Sequence, residues 1–546
     1  MAEPTRDQIL KLLTANEKWP HREHQVEGVY QLVTDTDPSR GRIIPRVFFL
    51  ADEVGAGKSK QCVDASQILY LDRKVNTVVV VTPGFARSTW ADADALLGEV
   101  AKHAWDAVPN VIHEYHKNYT ELQLDPMALN WVITNFEFIR REDRLHDLMQ
   151  QLRGRRVWLI LDESWALSGF SDQMRACRRL RNRRADRVTL LNGTPLSDGA
   201  PEDTFYPMSI LDPQILGLSS RSQFMAKHCI MGGYDNRKVV QYQHLDDYNQ
   251  RMAPYVLSRR TRDCFDLPPM LPPVTVEARL TPTTWSLYTS QRDDMVTWLG
   301  TQASVSKQAI VKGLRLAQLT SGFLGGLEDV LLEGDCWTPP PDITEPLPQF
   351  LRALHPETVP ATPSAPLGAL VSEGTREIGR EKLDAFIHWL ETFHNQPEKL
   401  LVWSRFKPEL ERTTQALRAI YPEVYQLRGG QTKDERHAAK TFLAPGGNRR
   451  RGAVVGNQKA GGASLNFAGA NIAVYLSNGL GLLERTQSIG RIERPGATQP
   501  MLIVDVVAVG PKGQKTIDHA ILRALRSKDD MARWTVDQWR KILRET

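Results

Sequence analysis

The chain has 546 residues, 41% hydrophobic and 24% charged, with a net charge of +5. That length needs more than one hydrophobic core, and the composition excludes a disordered or fibrous chain. No run of about 18 apolar residues offers a membrane span, the N-terminus lacks the apolar core of a secretory signal, and five scattered cysteines form neither CxxC pairs nor a disulfide framework, so reduced thiols in a cytoplasmic protein are expected.

Along the chain, the first strong element is the apolar run RVFFL, which feeds into LADEVGAGKSKQ and then the helix-compatible CVDASQILYL. Glycines let the backbone turn tightly and bring N–H groups onto phosphate oxygens, and the helix that follows points its positive end at the same anion. Gly55, Ala56, Gly57, Lys58 and Ser59 therefore predict a phosphate loop, with Lys58 reaching the β- and γ-phosphates and Ser59 ligating Mg2+. The strict pattern asks for glycine where Asp52 stands, so on this loop alone a glycine turn with a solvated lysine stays open.

TVVVVTP, NWVITN and VWLILDE follow as buried strands between amphipathic stretches. The last ends in Asp162-Glu163. A carboxylate at a strand tip can hold Mg2+ through water while its neighbour polarises the attacking water; a plain loop start is the competing reading. RACRRLRNRRADR then places seven arginines between Arg175 and Arg187, either a solvated helix face or a surface that tracks phosphates. VTLLNGTPLSD is another strand with a turn signal at Thr194-Pro195.

A different composition follows. PPMLPP leads into a helix-compatible stretch up to 299, and residues 335–368 are Pro-rich, which reads as a disordered or semi-extended connection. Strand-like runs then return as KLLVWSR, RGAVVGN, IAVYLSN and MLIVDVV. The expected fold is α/β with two parallel-sheet lobes in tandem: 1–265, a helical and Pro-rich segment over 266–375, a second lobe over 376–510, and a helical tail over 511–546. In ERTQSIGRIERPG, Gln487, Arg491 and Arg494 are spaced four and three apart, one face of a helix. Two arginines held there can neutralise charge that develops on a transferred phosphoryl group.

In this order the motifs resemble those of superfamily-two helicase ATPases, and within them the Swi/Snf-like branch of DNA translocases in the compact form of bacteria and bacteriophages. ADEVGAGKS is similar to the loop form ADExGxGKT/S, which accounts for the missing glycine; VVTPGFARSTW, ITNFEFIR, DESW and NGTPLSD resemble the elements that follow it. YVLSRRTRDCFDLPPM resembles the block FxLRRxKxDVxxxLPPK of the Swi/Snf branch, and RLAQLTSGFLGG a segment common in phage-borne members. In the second half, YQLRGGQTKDERHAAKTF, GNQKAGGASLNFAGANIAVYLS, QSIGRIERPGAT and KTIDHAILRALRSKDDMA continue the match. Ser164-Trp165 replaces the family's Ala-His after Asp-Glu, Ser477-Asn478 stands where an aspartate is usual, and Glu493 and Ala497 depart from the last arginine motif.

The resemblance implies two RecA-like lobes that share one ATP. Gln25, next to Arg22 in HREHQ, would read the adenine; Lys58, Ser59, Asp162 and Glu163 would serve from the first lobe, and Gln487, Arg491 and Arg494 from the second. It also implies phosphate contacts to a nucleic-acid strand from Thr82, Pro83, Thr134, Gly193, Thr194, Ser404, Arg405, Gly461 and Gly462, with Arg87, Arg259 and Arg260 adding charge. ATP and Mg2+ are the implied cofactors and double-stranded DNA the implied partner. The protein would be a monomer when free, would work beside replication or recombination proteins, and would reside in a bacterial or phage-infected cytoplasm. A strand-separating or fork-remodelling helicase is the alternative enzyme. A nucleotide-gated DNA-binding switch with weak turnover, motivated by Ser164-Trp165, is the alternative of another class.

Overall fold

The computed structural model describes residues 4–16, 18–37, 42–43, 47–94, 98–193, 196, 199–232, 238–301, 306–325, 376–392, 397–446, 450–458 and 466–545. The Pro-rich segment 335–368 lies outside them, as do Thr194, Gly461 and Gly462. The chain forms two compact units. The first comprises Met1–Ile230, Tyr242–Asp266 and Lys528–Thr546, and the second Met231–Gln241 and Leu267–Ser527.

Each unit is built on one parallel sheet. Numbering only the strands of these two sheets, the first contains β1 (Val47–Leu50), β2 (Thr77–Thr82), β3 (Asn110–Glu114), β4 (Leu129–Asn135), β5 (Val157–Leu161), β6 (Ala185–Leu191) and β7 (Val256–Leu257). Their order across the sheet is β7-β1-β6-β5-β2-β4-β3, and every pair is parallel. Parallel strands are joined by crossovers that cover both faces, so central strands must be apolar on both sides. Accordingly VFFL, TVVVVT and VWLIL are buried at every position, whereas the edge strand β3 is half-buried throughout. One face packs Leu50, Val78, Val80, Ile133 and Ile160 against Val63 and Ile68 of the helix Lys58–Leu71 and against Trp90 and Trp105.

The second sheet contains β8 (Val274–Arg279), β9 (Lys399–Trp403), β10 (Glu423–Leu427), β11 (Gly452–Gly456), β12 (Ile472–Tyr475) and β13 (Leu502–Val509), in the order β8-β13-β12-β9-β11-β10. All pairs are parallel again. Leu400, Val402, Val455, Val474 and Val504 pack against Leu383 and Phe386 of the helix Glu381–Glu391 and Leu410 and Leu417 of Lys407–Arg418. VTVEAR, read in the sequence as part of the connecting segment, is the edge strand β8, its register running from Val274 opposite Val504 to Arg279 opposite Val509. The two helices Pro282–Thr301 and Ser306–Thr320 follow it. Ile517–Glu545 is one helix of 29 residues. No described helix is long and apolar enough to cross a membrane.

Candidate nucleotide site

Between β1 and the helix Lys58–Leu71 the chain turns through two left-handed glycines, Gly55 at φ 96° and Gly57 at φ 84°. The positive φ of Gly57 favours glycine, and a Cβ there would lie 2.4 Å from Nε2 of Gln25 and displace that side chain. The Lys58 ammonium is folded back onto the loop and donates to the carbonyls of Asp52 at 2.7 Å and Glu53 at 3.2 Å. Gly193, at the end of β6, backs this lysine; a Cβ there would stand 3.4 Å from Lys58 Nζ and collide with Val54.

Asp52, in the position of the strict pattern's first glycine, is fully buried and ion-paired with Arg259. Arg259 donates through Nε to Asp52 Oδ1 at 2.8 Å and through a terminal nitrogen to Gln61 Oε1 at 3.0 Å, and also bonds the carbonyl of His24. The segment after β7 then runs along the whole loop. Ala51 N–H donates to the Leu257 carbonyl, Glu53 N–H to the Arg259 carbonyl, Thr261 N–H to the Glu53 carboxylate at 2.9 Å, and the Thr261 hydroxyl to the Val54 carbonyl at 3.0 Å. LSRRT is thus a strap that holds the glycine loop, and the Arg259 charge is engaged by Asp52. The sequence signal was Asp52 itself: an acid in place of a glycine beside a buried strand needs a cation.

Gln25 is buried at the start of the helix Glu23–Val33; its side chain accepts from Arg22 N–H at 3.2 Å and donates to the Ala56 carbonyl at 3.4 Å. His24 Nε2 lies 2.9 Å from the same carbonyl, so that nitrogen carries the proton. Burial, then the Arg259 guanidinium, hold the His24 pKa below its ordinary value against the Ala56 bond. Arg22 lies over the Phe265 ring at 5.8 Å. His24 and Phe265 escaped the sequence reading.

The two carboxylates after β5 have different surroundings. Asp162 Oδ2 accepts from the Trp90 indole at 2.8 Å and the Thr82 hydroxyl at 3.4 Å, and Oδ1 accepts from Glu163 N–H at 3.0 Å. Burial nevertheless pushes the Asp162 carboxyl above the ordinary carboxylate range, against the Trp90 bond and the charge of Lys58. A divalent cation would stabilise the charged form of such a carboxylate, and the oxygens of Asp162 and Ser59 are of the hard type that suits Mg2+. Glu163 sits at φ 52°, one of three described non-glycine residues in the left-handed region, which marks a backbone held by its surroundings. Its Oε2 accepts from the Trp165 indole at 2.7 Å.

The residues expected along a nucleic-acid strand fall into separate settings. Thr82 is buried with its hydroxyl on Asp162, Pro83 is buried, and Arg87 pairs with Glu114 at 3.0 Å. Thr134 is buried, and its hydroxyl has no hydrogen-bond partner among the described residues. Arg260 is half-buried in the strap. In the second unit Ser404 is buried and donates to Glu409 at 2.6 Å; Ser477, where the family has aspartate, bonds the same carboxylate and accepts from Arg405 N–H at 2.8 Å. Asn478 and Arg485 both donate to Asp505 of β13. Arg405 itself lies over Phe406 at 5.8 Å.

The helix carrying Gln487 ends at Ile489, so the expected single helical face does not extend to the two arginines. Gly490 caps the helix at φ −61°, and Arg491 and Arg494 stand in the turns behind it. Arg491 is 2% exposed, and Arg494 Nε donates to the Gly490 carbonyl at 2.7 Å. In the arginine run, the helix Asp172–Arg184 buries Met174, Cys177 and Leu180; Arg179 pairs with Glu142 at 2.8 Å, and Arg178 and Arg183 are exposed.

No family model matches the chain. It is 23% identical over 486 residues, 86% of its length, to "Chromatin remodeling factor mit1" of Schizosaccharomyces pombe. It is 26% identical over 191 residues, 35% of its length, to "SWI/SNF-related matrix-associated actin-dependent regulator of chromatin subfamily A-like protein 1" of Drosophila melanogaster. The resemblance is to Swi/Snf-like ATPases. The matches span only 30% and 22% of those two relatives. Among solved structures, the Sulfolobus solfataricus SWI2/SNF2 ATPase core in complex with dsDNA aligns at 16% identity and a TM-score of 0.38, covering 90% of this chain and 89% of that one. The Sulfolobus solfataricus SWI2/SNF2 ATPase core domain gives the same identity and TM-score, with 86% of that chain covered.

Proposed function

We propose that this Swi/Snf-like chain is a DNA-dependent ATPase that moves along or remodels double-stranded DNA. The observation that carries the reading is that a strapped glycine loop after β1 and the acid pair after β5 leave the same edge of one parallel sheet. The resemblance to chromatin-remodelling relatives is consistent with this reading. Lys58 would leave the carbonyls of Asp52 and Glu53 for the β- and γ-phosphates, which the N–H groups of the glycine loop and the helix N-terminus also receive. Ser59 and Asp162 would hold Mg2+, which when bound neutralises phosphate charge. Glu163 would take a proton from the attacking water. Gln25 would read the base from its place beside Ala56. Arg491 and Arg494 would neutralise charge on the transferred group, with Gln487 beside them, so that ATP binding and hydrolysis bias the arrangement of the lobes.

Translocation over any sequence requires contacts to phosphates rather than to base edges. Steady-state ATPase with duplex, forked and single-stranded DNA, paired with a triplex-displacement assay, tests the proposal. Duplex-stimulated turnover of at least about one per second with triplex displacement is expected. Robust strand separation without displacement would favour a helicase, and tight nucleotide-dependent DNA binding without turnover would favour a switch.

A further inference from the structure

Where the family resemblance leads one to expect histidine, this chain has Trp165, and its indole N–H is bonded to Glu163 at 2.7 Å. The local backbone makes that bond repeatable. Ser164–Leu167 is a single 3-10 turn in which Ala166 N–H donates to the Glu163 carbonyl and Ser168 N–H to the Trp165 carbonyl. Glu163 N–H is meanwhile tied to Asp162, and the backbone stands at φ 52°. A glutamate has three side-chain torsions; a donor two residues on, in a turn this tight, removes most of that freedom. A hydrogen bond to an ionised carboxylate is roughly twice as strong as a neutral one.

We propose that Trp165 is a positioning residue for Glu163: its indole N–H holds the Oε2 oxygen and so fixes the orientation of the carboxylate that acts on the attacking water. This rests on the ATPase reading above. It also explains why the departure from Ala-His does not by itself argue for weak turnover, since the indole offers an N–H to the acid from the place of the missing imidazole. The indole has no second ring nitrogen, so it can orient the acid but cannot relay a proton.

The test uses the full chain with duplex DNA and three variants, Trp165→Phe, Trp165→His and Glu163→Gln, read by kcat and KM for ATP, by equilibrium ATP affinity, and by the indole resonances of protein labelled with [ε1-15N]tryptophan. Trp165→Phe keeps a ring and loses the donor. It is expected to lower kcat by about 10- to 100-fold while KM and ATP affinity stay within about twofold, because only orientation of the reacting group is lost. Trp165→His restores an N–H and is expected to recover most of that loss. The resonance missing in Trp165→Phe is expected to move upfield in Glu163→Gln. Unchanged kcat in Trp165→Phe, a histidine variant no better than the phenylalanine one, or an indole resonance indifferent to Glu163→Gln each overturns the inference. Absence of Glu163-dependent hydrolysis in the wild-type chain overturns the ATPase reading and takes this inference with it. Normal kcat in Trp165→Phe on an active wild type overturns the inference alone.

Discussion

At single residues, the glycine loop depends on a charge pair that lies beneath it. Asp52 is 0% exposed and Arg259 16%, and the two share Gln61. Removing one partner leaves the other charge buried and uncompensated, which costs about 3–5 kcal/mol. Asp52→Asn is therefore expected to lower the stability of the first unit by about that amount in chemical denaturation, while Arg183→Gln, at an exposed position, changes it by less than about 0.5 kcal/mol. Equal effects would mean that the strap is not held by this pair. Glu163→Gln separates chemistry from binding: ATP affinity is expected to persist, with kcat lower by about 100-fold or more, measured by nucleotide titration and single-turnover hydrolysis.

Elements show why some of the site could be read early. A glycine loop between an apolar run and a helix has a local cause, so GAGKS was legible. The structure adds that Gly57 is fixed twice, by φ 84° and by Gln25. Gly57→Ala is expected to abolish ATP binding and to destabilise the loop by about 1 kcal/mol or more, seen as loss of nucleotide-dependent thermal shift. The strap after β7 was visible only as a family-like block, because nothing local tells LSRRT to lie along a loop about 200 residues earlier in the chain. The helix ending at Ile489 shows the converse error. A four-and-three spacing suggests one face, but Gly490 stops the helix before either arginine. Strand β8 was missed because prolines on its N-terminal side masked a strand that lies at a sheet edge, where prolines next to it are tolerated.

For the molecule as a whole, acid should be destabilising. Burial lowers the pKa of His24, His103, His228 and His519 from 6.5, and that of His103 falls to about 3. His103 lies 3.7 Å from Glu99, yet with so low a pKa it is neutral, so that contact is not an ion pair at ordinary pH. The folded state then binds fewer protons than the unfolded one, so stability rises with pH. It is fully present above about 6.5 and is lost as pH falls from there toward 3. Asp64 adds to the loss at the acid end: burial would raise its pKa, but bonds from His21 and Lys60 bring it below 3.8. Its stabilisation is present above 3.8 and disappears as pH falls through the folded value. Thermal midpoints measured from pH 7.5 to 4 are expected to fall steadily, with a shallower slope in His103→Gln; equal slopes would remove His103 from this account.

The amino-acid order alone determined the parts with local causes: apolar runs that form parallel strands, a tight glycine turn between a strand and a helix, and an acid pair at a strand tip. Only the tertiary structure decided what those parts rest on. Asp52 needed a cation, and folding brought Arg259 to it; Asp162 and Glu163 needed N–H donors, and folding set Trp90 on one and a tight turn set Trp165 on the other. A buried charge states its requirement in the sequence, but the partner that meets it is selected by packing, which no local spacing records.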